Sequence, residues 1–377
     1  MTVTLVTFVC VDTEPALDAS LYPAIGKTVS SETRRRIYWE NALVNCATAR
    51  RCVPDARVCV FTNDNDDVVL YDTTLHRALN ALQVERIVLP FTRFVPPSGA
   101  AVKFRNAFYR LNVLRALAHS LRADDAAILY DSDCVWTRAA ADLEQQIPQA
   151  GLWLSTPRKL FPPHLRYPVQ QSRADFGALY RALDKAYPEP YPIYYGAEFI
   201  GARGAALQAL LAQLEIAWAR VAEMSAHAPV RLHNGESIYD NDEYLLNFVC
   251  NNKVMPVTLA TGFMRRIQTL EGLRDVRTSD LALRMWHLVS EKRFGLLLLT
   301  PQVLQNDSAF WKTPLAEFAN YLGAYVGIPK RKYHAPRTPR QEMEFAARMI
   351  ARRVRAYFVW QKAMWQYGIE KQSRADV

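Results

Sequence analysis

Asp131-Ser132-Asp133 places two carboxylates one residue apart, directly after the apolar run Ala126-Ala-Ile-Leu-Tyr130 and before Cys134-Val-Trp136. Ionised groups are costly at the edge of an apolar core unless something pairs with them. Side chains at i and i+2 of an extended segment point the same way, so the spacing predicts that both carboxylates face one point. Hard divalent cations such as Mg²⁺ or Mn²⁺ accept carboxylate oxygens together with phosphate oxygens. A cation held there neutralises charge developing on a departing diphosphate. The bland alternative for the same three residues is a turn whose aspartates cap a helix.

Such a pair needs a rigid strand end beneath it, and the chain ahead of it supplies one. Thr2-Val-Thr-Leu-Val-Thr-Phe-Val-Cys-Val11 is a β-branched apolar run of the kind a buried parallel strand requires. A helical pattern begins at Ser31 and Glu32 and runs through Ile37, Ala42, Leu43 and Cys46. Arg57–Thr62 reads as a second buried strand that stops at the turn-forming run Asn63-Asp-Asn-Asp-Asp67. Arg86–Pro90 reads as a third strand, and Lys103–Leu121 as a long amphipathic helix before the strand Ala126–Tyr130. This alternation predicts an α/β fold with a mostly parallel sheet flanked by helices. Ligands of such sheets bind beyond the carboxyl ends of the strands, so the loops after Val11, Thr62 and Tyr130 should share one rim.

The second half is more mixed. Gly151–Ser155 and Glu198–Gly201 read as strands, Ala205–Met224 and Asp242–Val249 as helices, and Leu281–Leu288 and Phe294–Thr300 as strand-like or ambiguous. Phe161–Pro168 and Tyr187–Pro192 are Pro-rich and read as surface loops. Ser308–Gly327 reads as a helical appendage, followed by a basic linker and a helix over Gln341–Gln366. The expected organisation is a catalytic domain over 1–300 and a helical, basic extension over 301–377.

The net charge of +9 is concentrated in that extension, where Lys330–Val377 holds twelve Lys or Arg against four Asp or Glu. The remaining chain is nearly neutral, which argues against nucleic acid as a partner of the main body. Cys10, Cys46, Cys52, Cys59, Cys134 and Cys250 show no paired or zinc-like spacing, as expected of reduced core cysteines in a cytoplasmic protein. No signal peptide is legible, and the apolar runs are far shorter than the ~20 residues that span a bilayer. In the last helix Arg348, Arg352, Arg355 and Lys362 share one arc, opposite Ala346, Ile350, Tyr357 and Met364, with Phe358, Trp360 and Trp365 nearby. A basic stripe opposed by apolar residues suits an anionic membrane surface, a packed helix with a solvated face, or a dimer contact.

Phe108-Tyr-Arg-Leu111, the helix to Leu121 and Ala127-Ile-Leu-Tyr-Asp-Ser-Asp133 together resemble the GT-A glycosyltransferases. The similarity is to the retaining galactosyl-/glucosyltransferase group that includes glycogenin. It implies a Rossmann-like GT-A fold, with Asp131 and Asp133 binding Mn²⁺ (or Mg²⁺) and Ser132 between them at the donor. It makes Arg110 a donor-binding candidate and Lys103 a weaker one. Ile193-Tyr-Tyr-Gly-Ala-Glu-Phe-Ile-Gly201 looks like the family's strand that approaches the donor sugar, with Gly196-Ala197 in place of its usual Asn-Ala-Gly. Asp240-Asn-Asp-Glu-Tyr-Leu-Leu-Asn247 is similar to the acidic opening of the helix near the acceptor, although acidic residues also suit any first helical turn. Arg284-Met-Trp-His287 with Glu291-Lys-Arg293 resembles the late segment whose histidine completes the metal site and whose lysine holds the leaving diphosphate. The chain lacks that segment's Gly and Pro-Trp, so either Lys292 or Arg293 fits the second role. Thr7, Phe8 and Val9 take the family-like positions for a uracil ring, with Asn63 and Asp64 as further nucleotide candidates.

The expected activity is transfer of a hexose from a nucleotide-sugar, UDP-linked by the resemblance, to a saccharide or lipid-linked acceptor in cell-surface polysaccharide or lipopolysaccharide synthesis. The tail would carry the enzyme to the inner face of the membrane. Under a retaining course Glu198 or Asp242 would stabilise an oxocarbenium-like centre. Under an inverting one Asp242 or Glu243 would be the general base. A nucleotidyltransferase would also use carboxylate-bound Mg²⁺, but Val11-Asp-Thr-Glu-Pro15 lacks the Gly-rich phosphate loop. A catalytically silent carbohydrate-binding or scaffolding protein with the same shell predicts neither metal dependence nor donor turnover.

Overall fold

The computed structural model describes residues 3–11, 31–97, 102, 104–156, 163–164, 171–225, 231, 237–252, 255–270 and 274–330, with eight helical residues between 347 and 365. The chain forms two compact units, one of Met1–Pro157, Tyr195–Ala219 and Ile238–Lys332, the other of Arg158–Tyr194, Arg220–Ser237 and Tyr333–Val377. Residues 301–330, expected in the extension, thus belong to the same unit as the strands that precede them.

In chain order the strands are β1 (Thr4–Val9), β2 (Arg57–Thr62), the short pair β3 (Val69–Leu70) and β4 (Thr73–Thr74), β5 (Glu85–Val88), β6 (Ala126–Tyr130), β7 (Cys134–Trp136), β8 (Leu152–Ser155), β9 (Gly196–Arg203), β10 (Val257–Leu259), β11 (Met264–Arg266) and β12 (Met285–His287). The helices are α1 (Ser31–Cys52), α2 (Leu75–Ala81), α3 (Tyr109–Ser120), α4 (Leu143–Gln146), α5 (Arg173–Leu183), α6 (Gly204–Ser225), α7 (Asp242–Asn251), α8 (Gly295–Leu304), α9 (Ala309–Lys312) and α10 (Phe318–Val326).

Among the described residues, seven strands form the main sheet in the order β10-β8-β9-β6-β1-β2-β5. All pairings are parallel except those of β9, which runs antiparallel to both β6 and β8. The central strands β1 and β6 are buried along nearly their whole length, as their continuous apolar sequences require with neighbours on both edges. A second sheet of β11-β12-β7 begins where β6 ends, because Cys134 follows the aspartates and pairs antiparallel with His287. Helix α1 packs on β1, β2, β7 and α8, and its Trp39 is fully buried in the core with Trp136 and Trp286.

Three elements depart from the expectations. The helix read over 103–121 is a 3-10 turn at Arg105–Phe108 followed by α3 from Tyr109. The apolar run after Phe294 is helical: its Leu stretch has no periodicity to separate strand from helix, and the Glu291 carboxylate accepts from Gly295 N at 2.8 Å to start α8. Helix α5, not expected from the sequence pattern, opens with a capping box of Ser172 and Asp175 in the second unit. Phe161–Pro168 lies almost wholly outside the described residues, as do Arg348, Arg352 and Arg355. Among the described tail residues, Ile350, Val354, Tyr357, Phe358 and Trp365 are exposed on one helical arc. No helix among the described residues is long and apolar enough to cross a membrane.

Candidate metal centre

Three features of the topology converge on the residues after β6. The aspartates occupy a hydrogen-bonded turn, Cys134 N donating to Asp131 O at 3.0 Å, rather than the extended segment whose alternation was expected to align them. The reversal of β9 places its first residues at the same rim as the carboxyl end of β6, so Asp131 N donates to Glu198 O at 3.2 Å. The small sheet then sets His287 opposite Cys134, and Arg266 of β11 beside His287. Leu288 N donates to Asp133 O at 3.0 Å, which closes the loop between the two segments.

Ligand atoms of Asp131, Asp133 and His287 all lie within 4.8 Å of one another. His287 Nε2 is 3.3 Å from Asp133 Oδ2 and 3.7 Å from Asp131 Oδ2. Neighbouring donors on an octahedral ion with bonds near 2.1 Å sit about 3 Å apart and opposite ones about 4.2 Å, so the three atoms can share one cation with little adjustment. Asp133 is fully buried, with its Oδ1 lacking a hydrogen-bond partner and its Oδ2 met by the Lys292 ammonium and the His287 ring. Buried polar atoms normally have partners, and a cation would supply one to Oδ1 and to His287 Nε2.

Charge leads to the same conclusion. Asp131, Asp133, Glu198, Asp242 and Glu243 face the fixed cations Arg110, Arg266 and Lys292. Among the described residues the cluster is short of two positive charges, the deficit a divalent ion fills with His287 neutral. Burial opposes a charge on the His287 ring, but Asp133 and Glu198 outweigh it and push its pKa up to about 9. A proton there does part of what the metal would do, and it would leave on metal binding.

Glu198 lies on the other side of that ring. Its Oε1 is buried without a hydrogen-bond partner and is 3.9 Å from His287 Nδ1. A carboxylate on the second ring nitrogen holds the proton there and leaves Nε2 free as a ligand. Arg266 Nε also points at Nδ1, at 3.3 Å, a contact that serves only the opposite tautomer. Of the three carboxylates around the ring, Asp131 and Asp133 lie against Nε2 and Glu198 faces Nδ1. The form with its proton on Nδ1 is therefore favoured when a cation occupies Nε2. Arg266 is better matched to the acids, lying 2.8 Å from Glu198 Oε2 and 3.4 Å from Glu243 Oε1. Despite burial, Arg266 and then His287 hold Glu198 well below the ordinary carboxylate range. Gly196 is required by the same group: a Cβ there would meet the Glu198 carboxylate at 2.0 Å.

Two cations border the aspartates. Phe104 N donates to Asp240 O at 3.1 Å, which ties the approach to α3 to the approach to α7. Arg110 and Asp242 therefore meet, and Arg110 bridges Asp242 and Asp131, at 2.5 Å to each. Burial pushes the Asp242 carboxyl up to about 6 although Arg110 opposes it. Lys292 Nζ is 2.9 Å from Asp133 Oδ2. Burial counts against its charge, but Asp133 keeps its pKa above the ordinary lysine value. Arg293 is exposed, so the structure separates the two basic residues that spacing left equal.

The remaining expected residues fall around this centre or away from it. Ser132 is buried within the turn. Phe8 is half-buried with the Arg110 guanidinium 5.4 Å from its ring, while Val9 belongs to the core and Thr7 Oγ1 is buried without a partner. Asn63 is occupied by backbone: it accepts from Val11 N at 2.8 Å and donates to Val11 O at 2.9 Å, clasping the ends of β1 and β2. Asp64 is held by Arg35, at 2.5 and 2.7 Å, and by Trp39 Nε1 at 3.2 Å. Lys103 lies outside the described residues. Arg266, Asn41 and Asn45 were missed. Arg266 sits on a three-residue strand too short to be read, and the asparagines lie inside a helix whose composition looks ordinary. No protein-family model matches the chain, and no curated protein matches it.

Proposed function

We propose that this chain is a metal-dependent glycosyltransferase of GT-A type, moving a hexose from a nucleotide-sugar, UDP-linked by resemblance, to a saccharide or lipid-linked hydroxyl. The observation that carries the reading is the meeting of Asp131, Asp133 and His287 at one sheet rim with Lys292 against Asp133. Bound there, Mn²⁺ or Mg²⁺ would supply positive charge to the two phosphates of the leaving nucleotide. Lys292 would turn its ammonium from Asp133 toward the diphosphate, adding a fixed charge where negative charge develops. Arg110 would hold Asp131 in place from the donor side while keeping Asp242 ionised. Glu198 fixes the His287 ring, and that support favours a positioning role over direct attack on the sugar.

We further propose that the tail brings this activity to an anionic membrane surface. Its exposed stripe of Ile350, Val354, Tyr357, Phe358 and Trp365 supports this, together with its excess of basic residues. Each basic residue near an anionic surface contributes about 1 kcal/mol.

The test is thermal stabilisation by Mn²⁺ across a panel of nucleoside diphosphates, followed by release of sugar from the matching donor. The parent chain should be stabilised by the pair together, and Asp131→Ala with Asp133→Ala should abolish the shift. An unaltered shift in that double variant refutes the metal assignment. A shift without any donor turnover favours a silent binding protein.

A further inference from the structure

Helix α1 carries three fully buried polar side chains, Asn41, Asn45 and Thr48. They fall at i, i+4 and i+7, a single stripe of the helix. An unpaired buried amide costs on the order of 1–3 kcal/mol, so each needs partners. The partners are backbone atoms of the candidate site. Asn45 Nδ2 donates to Asp131 O at 3.1 Å and to Cys134 O at 2.8 Å, the two ends of the turn that carries the aspartates. Asn41 Nδ2 donates to Lys292 O at 3.0 Å as well as to Ile37 O at 2.6 Å within the helix. Thr48 Oγ1 donates to Asn45 O at 2.8 Å and accepts from Trp136 N at 3.1 Å, fixing the strand that leaves the turn.

Only the NH₂ half of each amide is used. Asn41 Oδ1 and Asn45 Oδ1 are buried without hydrogen-bond partners, a cost that leucine of similar size would avoid. Both hydrogens of the Asn45 amide are spent on the turn, and aspartate in its place would set an anion against two carbonyls. Four residues of helix, a rise of about 6 Å, separate the residue that holds the aspartate turn from the residue that holds Lys292.

We propose that this stripe is a positioning element. Asn45 sets the turn that aims Asp131 and Asp133 at one cation, and Asn41 sets the place of Lys292 beside them. The spacing between metal ligands and diphosphate-facing cation is then fixed by the pitch of α1 rather than by the loops. The proposal rests on the metal–diphosphate reading above, and it assigns the two asparagines separable effects.

The experiment measures Mn²⁺ affinity from the electron paramagnetic resonance signal of the free ion, and UDP affinity by calorimetry at saturating Mn²⁺. Asn45→Ala should weaken Mn²⁺ by about tenfold or more, the range seen for groups that orient metal ligands. Asn41→Ala should leave Mn²⁺ affinity within about twofold and weaken UDP by about tenfold. Asn63→Ala, which also loses two side chain–backbone bonds, serves as the control and should change Mn²⁺ affinity in neither direction. If the asparagines only support the fold, all three variants lose melting temperature while folded protein keeps parental affinities, and the proposal is overturned. Should Asn45→Ala not fold, the Asn41→Ala split between Mn²⁺ and UDP decides alone. A parent chain that binds no Mn²⁺ overturns the metal reading, and this proposal with it. A parent that binds while the variants match it overturns only the positioning role.

Discussion

Arg110 and Asp131 stand twenty-one residues apart in the chain and form an ion pair at 2.5 Å, with the guanidinium buried and its second arm on Asp242. One of the three metal-ligand candidates is therefore already neutralised by a fixed cation. Replacing Arg110 with Met would leave two carboxylates facing each other without it. Breaking such a pair costs about 3–5 kcal/mol, so Arg110→Met should melt well below the parent. Mn²⁺ can take over part of the missing charge, so its stabilising shift should be larger in the variant than in the parent. Equal shifts in a differential-scanning experiment would refute the competition between Arg110 and the metal.

Lys292 and Arg293 should behave oppositely. Lys292→Met is expected to lower the rate of donor hydrolysis about a hundredfold, as loss of one charge-stabilising group does. Its Mn²⁺ affinity should hold or tighten, because the ammonium beside Asp133 is gone. Arg293→Ala, changed at an exposed position, should stay near parental rates. Steady-state kinetics on both variants read the difference, and a larger loss in Arg293→Ala would reverse the assignment.

Asp242 gives a pH dependence with a definite sign. Its carboxyl is raised from the ordinary 3.8 to about 6 by burial, with Arg110 opposing. The folded state therefore holds the proton more tightly than the unfolded chain, and stability is lost as pH rises from about 4 to about 6. Asp242→Asn lacks that loss. Urea midpoints of variant and parent should diverge in the variant's favour across that window, by on the order of 3 kcal/mol. A difference that is flat with pH across that window would refute the upward shift of Asp242.

Asn63 is expected to matter for stability rather than for the metal. Asn63→Ala removes both bonds to Val11 and should cost about 2 kcal/mol in chemical denaturation. A change of less than a few tenths would mean that water replaces the clasp.

Truncation after Lys330 tests the tail. The shortened chain should lose cosedimentation with vesicles containing phosphatidylserine while retaining Mn²⁺-dependent donor hydrolysis. Unchanged cosedimentation would sink the membrane proposal, and loss of hydrolysis would show that the tail serves the catalytic unit itself.

Much of the framework was legible because it depends on local patterns. Strand β6 is read correctly to the residue from Ala126-Ala-Ile-Leu-Tyr130, and α1 begins at Ser31 as its sequence signals. The aspartate pair is legible for the same reason, since two carboxylates after a buried strand are unusual whatever surrounds them. Their alignment comes from a turn rather than from strand alternation. His287 was found through resemblance, not through any local pattern of its own.

By itself, then, the sequence determined the α/β alternation, the rim and the two aspartates on it, each a matter of neighbours within a few residues. Tertiary structure decided that Lys292 rather than Arg293 faces Asp133, that Arg266 and Glu198 brace His287, and that Asn63 serves the backbone. The physical reason is that these choices follow from strand reversal and cross-chain pairing. The antiparallel β9 sets Phe199 against Tyr130, and β12 sets His287 between Cys134 and Arg266, and no spacing within the chain encodes which side chain the pairing turns inward.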